Sequence, residues 1–137
     1  MKNFLILPHQ LFSIQFLNNK KYKIYLWEHP HYFTSYNYNK KKIILHHASM
    51  LSYYDYLNKN NFDINFIKFN EKFPKLTEYS LFDPIDNIEL PYKDRINIIF
   101  ESPNFLLNKT IYSEYREKTD KFYFNNFYMF MKKKINI

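Results

Sequence analysis

The sequence predicts a three-layer α/β fold built on a parallel sheet of about five strands. Three observations carry that reading. Short apolar runs recur near residues 4, 22, 63, 80 and 96. The stretches between them are long enough for the crossovers that parallel strands require. Four of the runs lead directly into polar loops: Pro8-His9-Gln10, Glu28-His29-Pro30, Asp83-Pro84-Ile85-Asp86 and Glu101-Ser102-Pro103-Asn104. In such sheets the carboxyl ends of the strands form the rim where ligands bind.

The elements follow in order. Phe4 to Leu7 is a buried strand closed by Pro8, and Leu11 to Leu17 is a loop with a helical turn. Asn18 to Lys21 is a polar break before a second strand, Tyr22 to Trp27. Pro30 stops regular structure and biases His29 towards extended geometry. Asn39 to Leu57 is the clearest helix, with Ile43, Ile44, His47, Met50, Leu51, Tyr54 and Leu57 at three- and four-residue steps. Asp63 to Phe69 alternates as a third strand. Phe73 to Tyr79 reads as a short helix with Pro74 in its first turn. Ser80 to Phe82 is a fourth strand. Ile96 to Phe100 is a fifth, with the uninterrupted apolar character of a strand buried on both faces. Thr110 to Lys118 and Asn125 to Lys134 are closing helices. With no repeat and no linker, residues 1–137 read as one domain.

Composition narrows the function. The 137 residues are 46% hydrophobic, enough for a real core that buries about two-thirds of the unfolded surface. There is no Cys, which removes disulfides, thiolate zinc sites, cysteine-ligated iron–sulfur clusters and Cys nucleophiles. There is no Gly, which removes the Walker A loop and the G-x-G-x-x-G fingerprint. The net charge of +7 has two readings: a polyanionic partner, or the A/T-rich codons that Lys shares with Asn, Ile, Phe and Tyr. Phe4 to Leu7 is too short for a signal-peptide core, and no run approaches the roughly 20 apolar residues of a membrane span. The expectation is a soluble intracellular protein, cytoplasmic or nuclear, without membrane contact.

Several clusters could carry chemistry. His9 and Gln10 follow the first strand and suit a heteroaromatic ring with amide-like edges, or else a loop that satisfies its own backbone. Glu28 at the end of the second strand could accept from ring N–H or hydroxyl groups, with Tyr32 and Phe33 stacking on a flat ligand. His29-x-His31 lacks an identifiable third metal ligand, so no metal site is expected. His46 and His47 face different directions on their helix and cannot readily chelate together. Asp83 and Asp86 fit a proline-containing turn better than a pair of acids. Lys40, Lys41 and Lys42 open the long helix, where its dipole disfavours cations. They form a solvated turn or face an anion. No catalytic nucleophile is identifiable. Phe127, Phe130 and Met131 on the last helix need a cover, either this domain's own sheet or a partner.

With these residues in view, the chain resembles the deoxyribodipyrimidine photolyase-related proteins, the iron–sulfur bacterial cryptochromes and photolyases. The resemblance rests on Leu5-Ile-Leu-Pro-His-Gln-Leu-Phe12, Tyr25-Leu-Trp-Glu-His-Pro-His-Tyr-Phe-Thr34 and Lys40-Lys-Lys-Ile-Ile-Leu-His-His-Ala-Ser-Met50. Ser80 to Asp86, Ser102 to Leu107 and Phe127-Tyr128 with the lysines after them continue it in order.

The resemblance implies the Rossmann-like amino-terminal domain of that family, which holds a chromophore such as 6,7-dimethyl-8-ribityllumazine or a related antenna. It places that chromophore at His9, Gln10, Glu28, Tyr32 and Phe33. Where the family often carries an acidic residue before the Gln, this chain carries His9. FAD and the four-Cys cluster belong to a longer helical domain, so neither is expected on this chain. Photolyase catalysis, a carbon–carbon lyase reaction, is then not expected of this chain alone. The implied partner is a separately encoded FAD-binding helical domain, docked on the last helix through Phe127, Phe130 and Met131.

Two alternatives stand beside it. One is a basic, non-enzymatic domain that binds nucleic acid weakly and non-specifically through Lys20, Lys21, Lys40 to Lys42 and Lys132 to Lys134. The other is a decayed remnant, since tight strand–helix turns usually need the Gly this chain has lost.

Overall fold

The computed structural model of the chain describes residues 2–17, 21–121 and 123–136. The chain divides into two compact units, Met1–Ser102 and Pro103–Ile137. The first unit holds β1 (Lys2–Ile6), β2 (Tyr22–Trp27), β3 (Asp63–Ile67), β4 (Tyr79–Phe82) and β5 (Ile96–Phe100), with helix α1 (Lys40–Lys59) between β2 and β3. All neighbours are parallel, in the order β3-β2-β1-β4-β5. The chain thus starts at the centre, winds outward through β2 and β3, and returns to the other side of β1. This is a doubly wound Rossmann-like sheet whose switch point lies between β1 and β4.

Alternation along the central strands builds two cores. Phe4 and Ile6 of β1, with Ile24 and Leu26 of β2, face Met50, Tyr53 and Leu57 of α1. Leu5, Tyr25 and Trp27 point to the opposite face, against Phe73, Leu76 and Ile88. Burial on both faces explains why these strands read as continuous apolar runs. The three layers are therefore α1, the sheet, and a layer of irregular chain.

That irregular layer corrects the helix expected over Phe73 to Tyr79. Residues 72–76 have no regular structure, and Tyr79 already pairs with Ile96 in the sheet. Pro74 disfavours helical geometry at Phe73. The extended path lets Phe73 lie 4.7 Å from the Trp27 ring and leaves Leu76 only 5% exposed. A second correction concerns β5, which lies at a sheet edge and not in the interior. Its Ile98 and Ile99 are 41% and 52% exposed.

Helix α1 starts where expected, because the Asn39 side chain accepts from the Lys41 N–H at 2.9 Å as an N-cap. Its buried face is displaced from the expected stripe. Met50, Tyr53 and Leu57 are buried, while Ile44 and Leu51 face solvent. Tyr53 lies inside because its hydroxyl donates to the Phe12 carbonyl at 2.7 Å. The short 3-10 turn at Ile14–Phe16 matches the turn expected after β1.

In the second unit, α2 (Lys109–Glu117) and α3 (Phe124–Ile135) fall within one residue of expectation at each end. Tyr115 of α2 is buried, with ring centres 5.1 and 5.2 Å from Phe127 and Phe130. Glu114 ties the two helices together through Lys118 at 2.9 Å and Lys134 at 2.6 Å, and these lysines hold its carboxyl below the usual range. No helix among the described residues is long and apolar enough to cross a membrane.

The displaced face of α1 makes a sharp prediction. Leu57→Ala should destabilise the chain by about 2–5 kcal/mol, the cost of a core cavity. Leu51→Ala should stay within about 0.5 kcal/mol. Urea denaturation of both variants checks the difference.

Candidate functional site

The loops after β1 and β4 meet at the switch point. Gln10, fully buried, joins them. Its Oε1 accepts from the Leu7 N–H at 3.3 Å, and its Nε2 donates to the Phe82 and Asp83 carbonyls at 3.0 and 3.2 Å. The amide expected to face a ligand is instead engaged by the chain itself.

Next to Gln10, His9 is enclosed without a partner of good geometry at either ring nitrogen. Its ring centre lies 5.2 Å from that of Tyr32. Burial lowers its pKa below 6.5, and the nearby Pro84 carbonyl and Asp86 carboxylate only partly oppose that. Tyr32 donates to Asp86 Oδ2 at 2.7 Å, and burial first, then this carboxylate, pushes its phenol well above the ordinary value. Asp83 takes the expected turn role, its Oδ1 accepting from the Ile85 N–H at 3.1 Å. Asp86 does not: its carboxylate reaches across to Tyr32.

The loop after β2 is shaped by His29, whose backbone (φ −56, ψ 128) is extended ahead of Pro30 as expected. His29 Nδ1 accepts from the His31 N–H at 3.0 Å, so its Nε2 is the donor to the Glu89 carbonyl at 2.8 Å. The ring is neutral, and burial lowers its pKa. Both nitrogens being committed, His29 and His31 do not form a pair of metal ligands. The described residues contain no group of three or more His, Asp or Glu arranged to hold a metal ion.

Glu28 is a fully buried carboxylate. His47 Nδ1 binds its Oε1 in a short contact, and the Phe69 N–H donates to Oε2 at 3.3 Å. Phe33 is also interior, stacked 5.3 Å from Phe69 with the rings 4° from parallel. Of the five expected residues, His9 and Tyr32 meet at the rim, while Gln10, Glu28 and Phe33 support it from within.

Two residues join the rim that the sequence did not single out as ligands. Asp86, which the sequence fits to a turn, reaches Tyr32 instead. His46, 6.1 Å from the Phe33 ring, has its pKa lowered by burial, then by Lys42 and by His9. A half-buried His in the first half of a helix that packs on the strand ends was the signal available for it. The lysines of the nucleic-acid alternative are spread over both units. Lys40, Lys41 and Lys42 are exposed on the first turn of α1, and Lys20 lies outside the described residues. An open groove of about 660 Å³ between Leu11–Ser13 and α1, lined also by Ser49, Ser52 and Tyr56, contains none of the rim residues.

The sheet order and its rim define a Rossmann-like α/β domain. The family model described as deoxyribodipyrimidine photo-lyase-related protein matches residues 4–88, from within β1 through β4 and the loops after β1, β2 and β4. The chain belongs to that family. A curated relative, "Uncharacterized protein R852" of Acanthamoeba polyphaga mimivirus, is 27% identical over 166 aligned positions, covering 100% of this chain and 85% of that protein. No solved structure matches.

Two predictions follow from the geometry. His47→Ala leaves the Glu28 carboxylate buried with only one N–H donor. Because His47 is itself 43% exposed, the expected loss is roughly 2–3 kcal/mol, below that of a fully buried pair. Glu28→Gln on the His47→Ala background should recover most of it in denaturant melts. The second concerns pH. His9, His29 and His46 bind protons more weakly folded than unfolded, where the value is 6.5. Their contribution to stability is fully present above pH 6.5 and is lost as pH falls from there through the lower folded-state values. Melting temperature should drop between neutral pH and about 5, before most carboxylates titrate. His46→Gln should shrink the drop.

Proposed function

We propose that the first unit binds a flat heteroaromatic chromophore of the lumazine or flavin type at the switch-point rim. It then serves as an antenna domain, linked to light-dependent DNA repair or light sensing through a separately supplied FAD-binding domain. The observation that carries this reading is His9, whose two enclosed ring nitrogens have no hydrogen bond of good geometry, with the Pro84 carbonyl nearby. Buried polar atoms are normally satisfied, and an orphaned pair at a ligand-binding rim asks for one. A neutral imidazole offers one donor and one acceptor in diverging directions, so one of its nitrogens can meet either a carbonyl or an imide N–H of such a ring. Tyr32, held by Asp86, supplies an aromatic wall, and the other Asp86 oxygen can accept from a ribityl hydroxyl.

Bound chromophore would supply near-ultraviolet or blue absorption. The chain's part is to orient the ring and exclude water.

The test is titration of the purified chain with 6,7-dimethyl-8-ribityllumazine, followed by absorption and fluorescence. A shifted, saturable spectrum is expected. His9→Ala should weaken binding about tenfold or more, the loss of roughly one charge-free hydrogen-bond pair. No spectral change with the native chain, or unchanged affinity in His9→Ala, overturns the reading.

A further inference from the structure

We propose that the outer face of α1 pairs with the same face of a second copy of this chain, the two helices antiparallel about a two-fold axis at Ala48. Met50, Tyr53 and Leu57 turn towards the sheet. At about 100° per residue, Ile44, Leu45, Ala48, Leu51 and Ser52 then fall on the opposite side. A surface helix ordinarily carries charged and polar residues there. Here the middle of that face is apolar and uncovered: Ile44 is 56% and Leu45 66% exposed, and Ala48 and Leu51 are exposed beside them.

The spacing suits a helix pair. Lys41, Ala48 and Asp55 recur every seven residues and mark the midline of the face. The pairs Ile44-Leu45 and Leu51-Ser52 fill the steps between them. Recurrence at seven keeps one seam of a helix against its partner. Ala48, the smallest of these residues, stands at the centre and lets the two axes approach towards the near end of the usual range of about 8–10 Å. The groove between Leu11–Ser13 and α1 shares Ala48 and Ser52 with this face, so the uncovered surface continues beside the helix.

Charge decides what covers it. The face carries one cation at its start, Lys41, and one anion at its end, Asp55, both exposed. Among the described residues neither side chain has an ion-pair partner within the chain. Lys42 differs, its ammonium lying 4.4 Å over the Tyr38 ring. An antiparallel two-fold at Ala48 sets Lys41 opposite Asp55 of the second copy at both ends, with Leu45 opposite Leu51 and Ile44 opposite Ser52. Parallel pairing in register would set Lys41 against Lys41 and Asp55 against Asp55. A partner of a single charge sign would meet like charge at one end. The face is thus the complement of itself, as a two-fold interface requires. The pairing also gives Lys41 an anionic neighbour in the first turn of α1, where the helix dipole disfavours a cation. One helix pair is smaller than the standard interface of about 1,600 Å², so the dimer is a weak one.

Analytical ultracentrifugation of the full chain, from micromolar to millimolar concentration, tests this. The mass should rise from 17.2 kDa towards twice that value and stop there. Ala48→Lys sets two ammonium groups against each other on the axis and should remain monomeric with native circular dichroism. Lys41→Glu and Asp55→Lys should each be monomeric alone, since each places like charges at both ends. Mixed, they should form a dimer of one copy each, and the double variant Lys41→Glu/Asp55→Lys should dimerise by itself. Those two recoveries decide the question even if Ala48→Lys fails to fold. A native chain that stays monomeric at millimolar concentration overturns the proposal. So does a dimer indifferent to these variants, growth beyond two copies, or failure of the charge-swapped pair to associate. None of these outcomes bears on chromophore binding at the rim.

Discussion

The buried amide of Gln10 is the constraint on which the rim depends. β1 and β4 are the central strands where the winding direction reverses, and their ladder is short, pairing Phe4 with Ser80 and Leu5 with Leu81. Beyond it the Phe82 and Asp83 carbonyls lie within reach of the Gln10 amide. Gln10 supplies both donors and takes the Leu7 N–H in return. A buried polar network is strong when every member is satisfied, and this one is. It fixes the distance between the 8–10 and 83–86 loops, and so sets Asp86 within reach of Tyr32 and His9 beneath it.

Glu28 does for the α1 side what Gln10 does for the switch point. Its carboxylate would be costly where it stands, fully buried, without His47 and the Phe69 N–H. In binding them it ties the end of β2 to α1 and to the chain after β3. Phe33 stacks on Phe69 in the same place. The loop from His29 to Phe33 is therefore held at both ends, by the neutral His29 ring bridging to Glu89 and by this aromatic pair. Tyr32 lies between those anchors. The side chains that face the rim are few, and most polar residues around them serve to aim them.

The strands were legible because burial on both faces leaves long apolar runs. Their order was not, since periodicity reports burial and not which strand lies alongside. That is why β5 looked interior: Ile-Asn-Ile-Ile-Phe has the composition of a central strand and occupies an edge. Phe73 to Tyr79 reads as helical because Pro74 suits a first turn, and its apolar residues are three apart. The same spacing serves an extended segment whose Phe73 and Leu76 plug the sheet, with Pro74 deciding between the two. Along α1 the apolar positions formed a stripe wider than the buried one, and only the hydroxyl of Tyr53, bound to a loop carbonyl, shows where the helix turns inward. The rim loops could be located from sequence, but the destination of each polar side chain could not. Gln10 and His9 are neighbours in the chain, yet one is consumed by the backbone of β4 and the other is left unpartnered. That difference depends on carbonyls some 70 residues away.

The absence of glycine sharpens the same point. Positive φ occurs in the described residues at Asn61, Ile85, Tyr92 and Asn136. Asn tolerates the left-handed region, so Asn61 after α1 and Asn136 after α3 are inexpensive substitutes. Ile85, at φ 68, is not: a β-branched residue there costs about 1–2 kcal/mol and persists only where its surroundings impose it. The surroundings are visible. Asp83 captures the Ile85 N–H on one side, and Asp86 is drawn to Tyr32 on the other. The loop between them has no residue to spare for a relaxed turn. Strain at Ile85 thus offsets part of what the Tyr32–Asp86 bond contributes, and it falls on the loop opposite the unpartnered ring of His9. A chain whose turns had merely drifted would be expected to relax at such a position. Here the left-handed isoleucine stays because the two aspartates on either side of it hold the rim in shape.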